Sequence, residues 1–158
     1  MANNYGKQFE KKFYSDFINT VKDSFILRLY DQVSGYKNVS KNLCDYICYC
    51  EPLLYLIEVK STKGNTFPIG NLTQYDKLKE KVGIKGVRAG AIVWFYEKDK
   101  VVYVPCSTFT KLIEDGKKSV NIKMLDEGLY RIIEIPSKKK RVFMDSDYSV
   151  LMKLEEGD

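Results

Sequence analysis

The sequence contains no histidine at all. That one absence removes Ser-His and Cys-His nucleophile pairs, imidazole general bases and imidazole metal ligands. Cysteine is also scarce, with Cys44, Cys48, Cys50 and Cys106 the full set. A structural zinc ion would need all four, and their spacing lacks paired C-x-x-C knuckles. The expectation is reduced thiols in the core of a cytoplasmic protein. No apolar run approaches the length of a membrane span, and the first residues lack the apolar centre of a secretory signal. Membrane partners and export are therefore not expected. There is no internal repeat and no low-complexity linker, so one domain over residues 1–158 is expected. The 158 residues are 44% hydrophobic and 13% aromatic, enough for a sizeable core. The net charge of +5 leans mildly toward a polyanionic partner. Whatever chemistry exists must use carboxylates, lysine and metal.

The most informative stretch is Asp45 to Lys60, two short apolar runs broken by Glu51-Pro52. The break predicts a hairpin. Leu53 to Val59 is almost continuously apolar, as suits a strand covered on both faces. Alternation points Leu54, Leu56, Glu58 and Lys60 the same way, so a carboxylate and an ammonium leave one face of an apolar strand. With the turn near Glu51-Pro52, Asp45 lies beside that strand end. Two carboxylates and a lysine converging there form a site for a hard cation such as Mg²⁺, which takes oxygen ligands and suits phosphate chemistry. A surface ion pair at a strand end is the plainer reading of the same residues, and it contributes little to stability.

In chain order, Asn4 to Val21 reads as a helix with Phe9, Phe13, Phe17 and Val21 at i+4 spacing. These span an arc of about 120°, and Glu10 falls inside it. A carboxylate on a buried stripe wants a partner. It is either an edge residue paired with Lys7 or Tyr14, or a third carboxylate beside a metal. Ser24 to Tyr30 reads as a strand and Asp31 to Asn42 as a loop whose Lys37 and Lys41 could face DNA. Asn71 is read as the N-cap of a helix through Val82. On that helix Gln74 and Lys77 could approach phosphates, as could Lys63 in the loop before it. A solvated surface is the commoner meaning of such charges. Ala89 to Glu97 and Lys100 to Cys106 form a second hairpin, and Ser107 is read as the cap of a short helix ending near Gly116. Val120 to Leu125 and Tyr130 to Ile135 are read as extended. Lys138, Lys139 and Lys140 form a basic run that either touches phosphates or is simply exposed. Ser149 to Leu154 is read as a last packed segment.

The helix with Glu10, the Asp45 strand, Glu58-Val59-Lys60, a helix and a strand pair resemble the PD-(D/E)XK nucleases. Within them the chain most resembles the RecU family of Holliday junction resolvases. The residues that carry the likeness are Gly6-Lys-Gln-Phe-Glu10, Asp45, Glu58-Val-Lys60, Phe67-Pro68-Ile69 before the Gln74 helix, and Ala91-Ile-Val-Trp-Phe95. The likeness spans roughly residues 3–113, with 114–158 as C-terminal strands and tail. It implies an α/β, restriction-endonuclease-like mixed sheet flanked by helices, a homodimer, and Mg²⁺ or Mn²⁺ dependence. It also implies paired nicks in branched DNA that leave 5′-phosphates. By position, Asp45, Glu58 and the Val59 carbonyl would hold the metal, Lys60 would be the catalytic lysine and Glu10 the helix carboxylate. The chain departs from the pattern in two places. Cys44-Asp45 stands for the Pro-Asp of the motif, and the segment before Asp45 is shorter than the stalk of RecU proteins. A restriction- or repair-type endonuclease of the same fold, and a non-catalytic DNA-binding recombination partner, are the alternatives.

Overall fold

A computed structural model describes residues 4–30 and 42–154; the expectations for Lys37 and Lys41 lie outside them. Its first helix, α1 (Tyr5–Thr20), buries Phe9, Phe13, Phe17 and the following Val21, as the four-residue spacing predicts. Strands β1 (Ser24–Arg28), β2 (Tyr46–Cys50) and β3 (Leu53–Thr62) form an antiparallel meander. The chain then passes through β4 (Thr66–Pro68), a 3₁₀ turn at Ile69–Asn71 and α2 (Tyr75–Lys79). It returns as β5 (Val87–Phe95), parallel to β3, followed by antiparallel β6 (Lys100–Pro105) and α3 (Cys106–Glu114). The remainder comprises β7 (Ser119–Asn121), α4 (Met124–Glu127), β8 (Ile133–Glu134), β9 (Ser137–Lys140), β10 (Phe143–Ser146) and a 3₁₀ turn at Tyr148–Lys153.

The central sheet runs β1-β2-β3-β5-β6-β8, and β3·β5 is its parallel pair. Residue alternation divides the core in two. Leu53, Tyr55, Ile57 and Val59 of β3 pack with α1 and the C-terminal segment. Leu54 and Leu56 pack with α2, α3 and the β4–β7 pair. A strand with apolar partners on both faces must be apolar at nearly every position, which is why β3 and β5 read as continuous runs. Gly90 has its own reason. A Cβ there would lie 2.5 Å from the Val104 carbonyl oxygen and 2.7 Å from the Tyr103 ring. The C-terminal ribbon β9–β10 is tied to α1 by buried Asp16, whose Oδ2 accepts the Ser146 N–H at 3.0 Å.

Several local expectations are corrected. Asn71 does not cap a long helix. It closes the 3₁₀ turn, and α2 begins only at Tyr75, with Gln74 in the N-cap position. The helix is short because the chain must turn back at Gly83 and Gly86, both with positive φ, to start β5. Ser107 lies inside α3, whose N-cap position is Pro105. Proline fits a helix boundary because it has no N–H to leave unsatisfied. Residues 120–125 are not one extended piece: a three-residue strand passes into α4, which ends on Gly128 in the left-handed region. The four cysteines form no disulfide. Cys44 and Cys106 belong to one core layer and Cys48 to the other, so they do not converge on a shared ion.

Candidate active site

The site arises from a mismatch in strand length. In register, β2 stops at Tyr46 opposite Ile57, while β3 continues to Thr62 beside β5. Among the described residues, one side of β3 therefore has no neighbouring strand from Glu58 onward. Asp45 sits at that corner with its main chain fixed on both sides. Its N–H donates to the Ile57 carbonyl at 3.1 Å, and its carbonyl accepts the Leu29 N–H at 2.9 Å. Its side chain then takes the place of the missing strand: Oδ2 accepts the Val59 N–H at 2.8 Å. The Val59 carbonyl leaves the strand on the same side as its N–H and faces the same gap.

Glu58, one residue earlier, is only 2% exposed and turns toward the α2–α3 face. Burial, then the charge of Asp45, pushes its carboxyl up to about 7; Lys60 opposes both. The Lys60 Nζ lies 3.3 Å from Glu58 Oε2. The Asp45 carboxylate lies close enough to Glu58 to help raise it. Two carboxylates this close, one of them buried, are stable as a pair only with a proton or a cation between them. Neighbouring Cys44 is buried, and burial first, then Glu58, pushes its thiol up to about 12. It stays a neutral thiol and adds no charge to the site.

Glu10 reaches the region from α1, but an arginine holds it. Arg28 Nη2 donates to Glu10 Oε2 at 2.7 Å, replacing the expected partners Lys7 and Tyr14. The Tyr46 hydroxyl donates to the Glu10 main-chain carbonyl at 3.0 Å. Burial and the charge of Asp45 raise the Glu10 carboxyl, while Arg28, Lys60 and Lys7 pull it down. Among the described residues, no three His, Cys, Asp or Glu side chains gather closely enough to hold a metal ion. The donors that do meet are the carboxylates of Asp45 and Glu58, with the Val59 carbonyl beside them. This set contains only oxygen and includes two carboxylates. It suits Mg²⁺, which binds through one or two carboxylates and keeps waters or substrate oxygens in its remaining positions.

The residues expected to meet DNA are spread more widely. Lys63 is exposed, with its Nζ 3.9 Å from Glu97 Oε1. Gln74 is half-buried at the start of α2, and Lys77 is exposed on that helix. Lys138 to Lys140 form β9. Lys139 pairs with Asp99 at 2.8 Å, while Lys138 and Lys140 lie close enough to Asp145 to help lower its carboxyl below the usual range, after Lys12. Arg28 is the residue that sequence reasoning missed. It shares a strand face with Ile26, which packs against the α1 layer, so a charge on that face was visible in the strand pattern.

A mixed sheet covered on both faces, with an aspartate at a strand's end beside Glu-x-Lys on its neighbour, defines the PD-(D/E)XK class of nuclease folds. Residues 30–143 match the family described as RecU, Recombination protein U, and the chain belongs to that family. The match begins after the helix that carries Glu10 and runs through the basic ribbon to Phe143. Among curated proteins, none matches the chain. Among solved structures, Hjc of Archaeoglobus fulgidus, a Holliday junction resolvase from an archaeal hyperthermophile, superposes with a TM-score of 0.58. It is 16% identical and covers 79% of this chain and 95% of its own, so the likeness is one of fold.

Proposed function

We propose that the protein is an endodeoxyribonuclease that resolves four-way DNA junctions by paired nicks, acting as a homodimer in the cytoplasm with residues 1–158 as one nuclease domain. The observation that carries this reading is the carboxylate of Asp45 on the Val59 N–H, beside Glu58 and Lys60. Membership of the recombination family supplies the substrate class. Asp45, Glu58 and the Val59 carbonyl would hold Mg²⁺, with Mn²⁺ as a substitute; when bound, the ion supplies Lewis-acid stabilisation of charge on the phosphate. Lys60 places a fixed positive charge beside the reacting phosphate and orients the attacking water. Glu10, set by Arg28 next to Asp45, holds a second water-facing carboxylate at the rim. Water adds to phosphorus and the bond to the 3′ oxygen breaks, leaving a 5′-phosphate and a 3′-hydroxyl. Lys63, Gln74, Lys77 and the Lys138–Lys140 run would contact the backbone and set a salt-dependent affinity.

The test is cleavage of a synthetic four-way junction with Mg²⁺ by wild type, Asp45→Asn and Lys60→Ala. Both variants should lose cleavage while still binding the junction. Undiminished cutting by both would overturn the assignment of the site. Equal cutting of linear duplex points to the restriction- or repair-type alternative, and binding without turnover in wild type points to a non-catalytic partner.

A further inference from the structure

The turn between β9 and β10 holds a residue in a conformation that opposes its side chain. Lys140 pairs with Phe143, so the turn consists of Arg141 and Val142 alone. Two-residue hairpin turns take positive φ at their first position, and Gly, Asn or Asp normally fill it. Here Arg141 fills it, at a φ of 49°. A side chain with a Cβ is crowded in that region. The chain thus keeps a long cation at the tip against the preference of the turn, which calls for a use outside the fold. Arg141 is exposed and forms no hydrogen bond or ion pair among the described residues. Beside it, Val142 is 48% exposed.

The tip is held in a definite place. Phe143, the next residue, packs on Trp94 with 5.3 Å between ring centres and on Tyr5 with 6.3 Å. Met144 is buried, and Asp145 pairs with Lys12 at 2.7 Å. Trp94 stands in register with Ser61, the residue after Lys60. Tyr5 opens α1 five residues before Glu10, about 7.5 Å along the helix axis. The tip therefore lies at the same end of the sheet as the candidate active site, on its α1 face. Trp94 belongs to β5, which borders β3 on the side opposite β2 and Asp45. The ribbon thus flanks the carboxylate pair and does not join it.

With duplex DNA arms as the substrate, as proposed for this chain, we infer that Arg141 enters the minor groove of the arm beside the cut. Val142 lies against the sugars that line the groove, and Lys138 and Lys140 meet the adjoining phosphates. Lys139 takes no part, since it is bound to Asp99 at 2.8 Å. The minor groove is about 6 Å wide, too narrow for a two-stranded ribbon but wide enough for one side chain. This turn carries forward one long side chain. Narrow A·T-rich minor grooves hold enhanced negative potential, which attracts arginine. A guanidinium is also more weakly hydrated than an ammonium, so it enters such a groove more readily. An exposed apolar residue at the tip suits a sugar-lined wall and gains nothing from a phosphate. The ribbon tip then gives the enzyme a preference in flanking DNA that Asp45, Glu58 and Lys60 do not supply.

The test is metal-free binding of three four-way junctions that share the same pairs at the branch and differ in the arms beyond it: A·T, G·C or inosine·C. Inosine lacks the guanine N2 amino group, so inosine·C pairs keep the G·C pattern in the major groove and resemble A·T in the minor groove. Wild type should bind the A·T and inosine·C arms at least about fivefold tighter than the G·C arms, the low end of what one groove contact is worth. Arg141→Gly should melt no lower than wild type, because it relieves the turn, and should bind all three junctions at the G·C level. Arg141→Lys keeps the charge but should narrow the preference. Three outcomes would overturn the inference: wild type binds the three junctions alike, wild type treats inosine·C as G·C, or Arg141→Gly loses affinity equally on all arms, as a plain phosphate contact would. In each of these junction binding persists and the nuclease reading stands. Wild type that binds no junction would overturn both.

Discussion

Asp45 Oδ2 stands 2.8 Å from the Val59 N–H, so a side chain completes the ladder where β2 runs out. The same carboxylate is therefore both a structural acceptor and the negative charge closest to Glu58. The two roles separate by mutation. Asp45→Asn keeps an oxygen acceptor and should change stability little, whereas Asp45→Ala leaves the N–H unpaired and should cost about 1–2 kcal/mol. Both should reduce single-turnover cleavage by about 10²-fold or more. Melting curves beside cleavage rates make the distinction.

Glu58 provides a pH signature that does not require turnover. Its carboxyl is raised to about 7 in the folded chain, by burial and then by Asp45. A raised carboxyl binds its proton more tightly folded than unfolded. Its stabilising contribution is thus full below the unfolded value of about 4.3 and disappears as pH rises through about 7. Without divalent ions, Glu58→Gln should become the more stable protein, relative to wild type, as pH rises from about 5 to about 8.5. A divalent ion competes with that proton, so the melting shift produced by Mg²⁺ should grow over the same interval. A shift independent of pH would argue against Glu58 as a ligand.

Arg28 and Glu10 form a half-buried pair at 2.7 Å. Arg28→Met should leave the Glu10 carboxylate without its closest cation and destabilise by about 1–2 kcal/mol. Glu10→Gln added to it should recover part of that loss. A double-mutant cycle in denaturant melts measures the coupling. If Glu10 has only this structural role, Glu10→Gln will cleave junctions as wild type does; the proposed rim role predicts slower cleavage at unchanged junction affinity.

The three lysines of β9 should not be equivalent. Lys139 is already bound to Asp99, while Lys138 and Lys140 lie near the exposed Asp145. Replacing Lys138 or Lys140 by Ala should reduce the slope of log affinity against log salt by about one unit each if each contacts a phosphate. Lys139→Ala should change the slope less. Filter binding or anisotropy on a junction over a salt series gives the slopes.

The sequence alone determined the elements whose cause is local or periodic. Four aromatic and aliphatic residues at i+4 spacing made α1, and continuous apolar runs made β3 and β5, because each pattern has one way to bury its face. Alternation also placed Glu58 and Lys60 on one face, and the lack of histidine confined the chemistry to oxygen and ammonium groups. Tertiary structure decided what depends on partners distant in the chain. The site exists because β2 ends before β3 does, and strand lengths are settled by pairing, which no single strand encodes. The Arg28 contact to Glu10 joins a strand to a helix eighteen residues away, and the short α2 reflects the return path to β5. A side chain's neighbours along the chain fix its direction, whereas its charge partner is fixed only when separate elements pack.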